Sequence, residues 1–223
     1  MSEPMPTLSG PEIAPATGDR PEHLVIFLHG VGADGNDLIG LAPQFQQTLP
    51  AAHFVSPNAP FPFDMAPFGH QWFSLQDVAG DALFEGAREA AGILDAFIDA
   101  ELARHGLTED QLVLIGFSQG AMMSLFVGLR REKPLAAIIS YSGHVVGEPF
   151  LEKEIRSRPP ILLTHGIEDP VLPFACLENA ERVLTGLGLD VEAHARPGLA
   201  HGIDEECIRL GGKFLTRTVR PVG

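Results

Sequence analysis

The sequence predicts an α/β fold with a mainly parallel sheet covered by helices on both faces, and three observations predict it. Short, unbroken apolar runs recur along the chain. Longer stretches with apolar residues three and four apart separate them, so strands alternate with helices. The length, 223 residues, is comfortable for one domain. A chain of that size buries roughly 70–75% of its unfolded surface, enough for a full core without disulfides.

The elements follow in order. Residues 1–22 hold five prolines and no apolar periodicity, which predicts a flexible or surface-tracking arm ahead of a single domain over 23–223. The run 23–28, His-Leu-Val-Ile-Phe-Leu, reads as a strand buried on both faces. A second run, 53–56, stops at Pro57. From there to Leu75 lies a proline- and aromatic-rich stretch too long for a simple connection, and such loops are usually functional. Over 81–105, Phe84, Ala87, Ala91, Leu94, Ile98 and Leu102 recur at helical spacing, with Gly106 as C-cap. Strands at 111–116, 135–141, 160–164 and 190–195 then interleave with helices at 121–129, 174–187 and 202–217.

Composition limits the function classes. The apolar fraction of 45% argues against wholesale disorder. Fifteen basic against twenty-nine acidic residues leave a net charge of −14, which repels phosphate backbones and argues against nucleic acid as a partner. Cys176 and Cys207 make no disulfide framework at this length, and both read as buried thiols. Cys207 shares a helical face with Ile203, Leu210 and Phe214. The N-terminal segment lacks a basic head and an apolar core, so no secretory signal is expected. No apolar run reaches the roughly 20 residues of a membrane span. The expected compartment is the cytoplasm. The sequence allows a homo-oligomer but marks no interface.

The strongest chemical signal is Gly116-Phe117-Ser118-Gln119-Gly120 between a strand and a helix. A serine hydroxyl is a weak nucleophile unless a base takes its proton and the oxygen protrudes from the backbone. A sharp strand-to-helix turn makes it protrude, and flanking glycines let the chain pass. The pattern alone is common; its setting makes it specific. Such an elbow predicts an acid and then a histidine at the ends of later strands. Asp169, after the strand at 160–164, is the candidate acid, with Glu168 as its adjacent alternative and a turn residue before Pro170 as the bland reading. His201, after the strand at 190–195, is the candidate base. His23 and His53 begin strands, His105 ends a helix and His194 lies within a strand; His29, His70, His144 and His165 stand on loops. A developing oxyanion needs backbone N–H donors, expected from Gln119 at the helix head and Val31 in the glycine-rich loop 29–35.

That loop also spells Gly30-x-Gly32-x-x-Gly35, a dinucleotide-binding pattern. The confirming acidic residue is missing, because no Asp or Glu lies between Asp37 and Asp64. The segment after Gly35 also reads as a poor helix, and the nicotinamide reading is rejected. No His, Cys and carboxylate cluster shows metal-ligand spacing, so neither metal nor cofactor is expected.

Together the motifs resemble the phospholipase/carboxylesterase family that includes acyl-protein thioesterases. The resemblance rests on 27–38 (FLHGVGADGNDL), 57–60 (PNAP), 71–73 (QWF), 116–120 (GFSQG), 165–171 (HGIEDPV) and 198–201 (GLAH), in the family's order. It implies a minimal α/β-hydrolase without a large lid, a triad of Ser118, Asp169 and His201, and oxyanion donors Val31 and Gln119. His144 stands where thioesterases of the family carry tryptophan, and 71–75 is closer to bacterial carboxylesterases. The leading expectation is hydrolysis of carboxylic esters of short to medium chains through an acyl-serine. Acyl-protein thioesterase or lysophospholipase activity on long chains is the alternative. A non-catalytic ligand-binding protein on the same fold is the reading of another class. Met65, Phe68, Trp72, Phe73, Val171 and Leu172, on loops predicted near the strand carboxyl ends, are expected to line the acyl pocket, with ordinary loop anchoring as the competing reading for each. The expected substrate is a small ester or acyl thioester.

Overall fold

The computed structural model describes residues 7–77 and 81–219. Its strands are β1 (Glu12–Ile13), β2 (His23–Leu28), β3 (Ala52–Val55), β4 (Phe61–Pro62), β5 (His70–Gln71), β6 (Leu112–Phe117), β7 (Ala137–Tyr141), β8 (Ile161–Gly166) and β9 (Val191–Arg196). Seven of them form one sheet in the order β1-β3-β2-β6-β7-β8-β9, while β4 and β5 pair with each other. All neighbours in the large sheet run parallel except β1, which lies antiparallel on β3. Its helices are α1 (Gly35–Ile39), α2 (Ala42–Gln46), α3 (Ala82–His105), α4 (Gln119–Gly128), α5 (Glu148–Glu154), α6 (Ala175–Gly186) and α7 (Glu205–Thr218).

The unbroken apolar runs become strands because both faces of the sheet are covered. Along β2 the side chains alternate between two cores. Leu24, Ile26 and Leu28 join α3, α4 and α6 on one face, whereas Val25 and Phe27 join α1, α2 and α7 on the other. Gly106 ends α3 in the left-handed region at φ +66°, where glycine carries no Cβ penalty.

Two expectations need correcting. Within the arm expected over 1–22, residues 12–13 add a strand to the sheet edge, and Leu8 is buried in the core. The Ser56 and Asn58 N–H groups donate to the carbonyls of Pro11 and Ser9, so backbone hydrogen bonds hold the proline-rich segment where periodicity offered no sign of it. Residues 1–6 lie outside the described residues. The segment after Gly35 does form helices, each only five residues long. Asp34 caps α1 by accepting the Asn36 N–H, and α2 carries proline in its first turn.

The sheet order places the site. From β2 the chain steps outward to β3, then returns to β6 on the other side of β2. Loops leaving the carboxyl ends of β2 and β6 therefore diverge, and open α/β sheets bind ligands in the crevice such divergence creates.

Candidate active site

Ser118 follows β6 directly and stands at φ +54°, ψ −117°, a left-handed backbone that a non-glycine residue adopts only under strain. The flanking glycines are required sterically. A Cβ on Gly116 would stand 2.3 Å from the Gly120 carbonyl oxygen, and one on Gly120 would stand 1.9 Å from that of Leu28. The turn thus pushes the Ser118 hydroxyl out of the strand-helix junction, and α4 begins at Gln119.

Residues 83 and 51 positions further along the chain meet there. His201 Nε2 lies 2.9 Å from Ser118 Oγ, and His201 Nδ1 lies 2.7 Å from Asp169 Oδ2. The Phe117 ring packs against the imidazole at a centroid distance of 4.9 Å. Asp169 Oδ1 accepts the N–H groups of Val171 (2.8 Å) and Leu172 (2.9 Å). Burial alone would raise the Asp169 carboxyl, but hydrogen bonds from His201, Leu172 and Val171 outweigh it and hold it below the usual carboxylate range. Glu168, the alternative acid, points elsewhere and accepts the Gly198 N–H at 2.8 Å. Behind Asp169 lies a residue whose part sequence reasoning left open. His165 is buried, with Nε2 2.9 Å from the Leu172 carbonyl oxygen and 3.3 Å from Asp169 Oδ2.

The glycine-rich loop comes close to the nucleophile: a Cβ on Gly30 would stand 3.3 Å from Ser118 Cβ. Hydrogen bonds from distant segments fix its path. His29 is fully buried; its Nε2 accepts the Ala59 N–H at 2.9 Å, so Nδ1 carries the proton and donates to the Gly30 carbonyl at 2.8 Å. Burial pushes this imidazole below its ordinary value, which keeps it neutral. Trp72 Nε1 donates to the His29 carbonyl (3.0 Å), and Gly32 N–H donates to that of His70 (2.8 Å). The Gln119 side chain accepts the Trp72 N–H (2.8 Å) and donates to the Phe73 carbonyl (2.7 Å). Gln119 is therefore a tie between the elbow and the 59–73 loop as well as a candidate oxyanion donor.

Comparison with known proteins gives the family of the chain. Residues 10–219 match the phospholipase/carboxylesterase family. The chain belongs to that family. Its curated relatives include acyl-protein thioesterase 1 of Schizosaccharomyces pombe, 33% identical over 87% of this chain and 90% of that protein. Esterase YpfH of Escherichia coli is 31% identical over 90% and 85% respectively. Among solved structures, esterase PE8 superposes with a TM-score of 0.90 at 42% identity, covering 95% of this chain and 99% of that one. Membership in the phospholipase/carboxylesterase family makes this an ester or thioester hydrolase fold, and no described helix is long and apolar enough to cross a membrane.

In this family member, the six residues expected around the acyl chain fall into different environments. Met65 (69% exposed), Phe68 (75%) and Val171 (61%) stand out on the surface. Leu172 is half-buried and packs against the core. Trp72 corrects the expectation: it is fully buried, and its indole ties down His29 instead of offering surface to a ligand. Phe73 is almost as buried but borders a cavity of about 370 Å³, lined also by Phe61, Gln71, Ser74, Ala82 and Gly86. His144 is half-buried, and burial lowers its imidazole.

Proposed function

We propose that this protein is a serine carboxylesterase that hydrolyses esters of short to medium acyl chains through an acyl-serine intermediate. The observation that carries the reading is the unbroken relay from Ser118 Oγ through His201 (2.9 Å) to Asp169 (2.7 Å) on a strained elbow. In this reading His201 Nε2 takes the Ser118 proton as Oγ attacks the carbonyl carbon, and Asp169 holds the tautomer and stabilises the imidazolium. The N–H groups of Val31 and Gln119 receive the oxyanion, aided by the positive end of α4. His201 then protonates the leaving oxygen or sulfur, and a water molecule deprotonated by the same nitrogen releases the acid. Met65, Phe68, Val171 and Leu172 flank the acyl chain.

Hydrolysis of acyl thioesters by the same site is the second reading, favoured by the likeness to a yeast acyl-protein thioesterase. One assay tests both: p-nitrophenyl acetate, butyrate, octanoate and palmitate beside the matching N-acetylcysteamine thioesters, with wild type and Ser118→Ala. Turnover falling steeply beyond about eight carbons, in the manner of an acyl site of limited depth, supports the esterase reading. Faster turnover of long thioesters overturns it in favour of the second. A folded Ser118→Ala protein that retains activity overturns the mechanism in both.

A further inference from the structure

At the opposite rim of the sheet from Ser118, where the strands begin, four potential ligands converge from three separate segments. Glu12 comes from β1, His53 from the start of β3, and Glu101 and His105 from the last turn of α3, one above the other at i and i+4. One nitrogen of each imidazole and one Glu101 oxygen lie within 4.8 Å of one another. The two imidazole rings stand 4.3 Å apart. Glu12 Oε2 lies 2.9 Å from His53 Nε2, and Glu101 Oε2 lies 3.8 Å from His105 Nε2. His105 Nε2 is buried without a hydrogen-bond partner, which a native structure seldom tolerates without a reason.

A cationic nitrogen stands in the middle of this set. Arg104 Nη2 lies 2.5 Å from Glu12 Oε2, 2.6 Å from Glu101 Oε2 and 3.3 Å from His53 Nε2. Its position is the one a metal ion shared by those atoms would take. The Arg104 side chain is 44% exposed and has room to swing into solvent. Four ligands at zinc-bond length in a tetrahedron stand roughly 3.3–3.5 Å apart, so closing the cluster asks for side-chain shifts of about an ångström.

We infer that Glu12, His53, Glu101 and His105 form a closed His2Glu2 site for a divalent transition metal such as Zn²⁺, with Arg104 as the displaceable cation that holds the ligands together in its absence. Two imidazole nitrogens and two carboxylate oxygens suit zinc, and a full protein shell marks a structural rather than a catalytic ion. Bound there, the metal ties β1 to β3 and to the end of α3. Local spacing cannot reveal the site, since Glu12, His53 and Glu101 are more than 40 residues apart.

The test is a calorimetric titration of ZnCl2 into chelator-treated, dialysed protein, with thermal melts and circular dichroism on every variant. One Zn²⁺ binds per wild-type chain and raises the melting temperature. Arg104→Gln tightens binding, while Glu101→Gln and His105→Gln weaken it, each by roughly tenfold or more. Both weakening substitutions fall at the carboxyl end of α3, and only variants whose circular dichroism matches wild type are scored. Absence of binding in Arg104→Gln overturns the inference. So does a wild-type isotherm that His105→Gln leaves unchanged, because zinc is then held by other histidines.

Discussion

Ser118, Asp169 and His201 are legible in the sequence because each follows a strand that its own residues define, and the order serine, acid, histidine is specific. The residues that hold them are less legible. His29, Trp72 and the Gln119 side chain meet across 43 and 47 positions, and nothing local in any of those segments encodes the partner. His165 illustrates the point on the acid side. Its Nε2 bridges the Leu172 carbonyl (2.9 Å) and Asp169 Oδ2 (3.3 Å), so it sets both the carboxylate and the turn that supplies two N–H donors. Removing it frees Asp169 to rotate away from His201, and small misplacements in such relays are costly. His165→Ala is therefore expected to lower kcat by roughly ten- to hundredfold with KM little changed. His165→Asn, whose amide N–H can still donate, should recover part of the loss. Equal kcat for His165→Ala and wild type would show that the backbone donors alone hold Asp169.

At the scale of elements, the long helix and the buried strands are readable because their periodicity is their own. The elements missed are those that others impose: β1 has two residues and depends on the edge of β3, while α1 depends on a side-chain cap. Capping also fixes the start of α7, which follows immediately after the loop bearing His201. Asp204 caps it by accepting the Cys207 N–H at 2.8 Å, and its other oxygen takes the Arg196 guanidinium at 2.8 Å. The hydrogen bond from Arg196 is the main cause that lowers the Asp204 carboxyl to about 2. The folded value lies below the unfolded one of about 3.9, so this contribution is fully present above about pH 4. It is lost as pH falls through about 2. Asp204→Ala is expected to cost about 1 kcal/mol at neutral pH, the usual worth of an N-cap. Urea denaturation at about pH 7 and about pH 3 checks it: the gap between variant and wild type should narrow on acidification. A gap that widens would place the stabilisation elsewhere.

For the whole molecule, the alternation of strands and helices reveals the fold class, but not the strand order, which depends on pairings between residues far apart. That order has a thermodynamic consequence. The two hydrophobic cores lie on opposite faces of one sheet, and alternate residues of the same strands supply both, Ile26 to one and Phe27 to the other. Neither core can lose its strands without exposing the other, so both are expected to melt in one transition despite the length of the chain. The protein carries a reporter for each. Its single tryptophan, Trp72, is fully buried in the first core, and Cys207 is fully buried in the second. Cys176 is half-buried and open to reagent, so the measurement belongs in a Cys176→Ser background where one thiol remains. Trp72 fluorescence and Cys207 labelling, followed across a urea series, should give coincident midpoints. Labelling of Cys207 at lower urea, while Trp72 still reports a buried ring, would mean that α7 and its face unfold separately from the sheet. His201 lies in the loop that leads into α7, so activity would then be lost along with Cys207 protection and ahead of the fluorescence change.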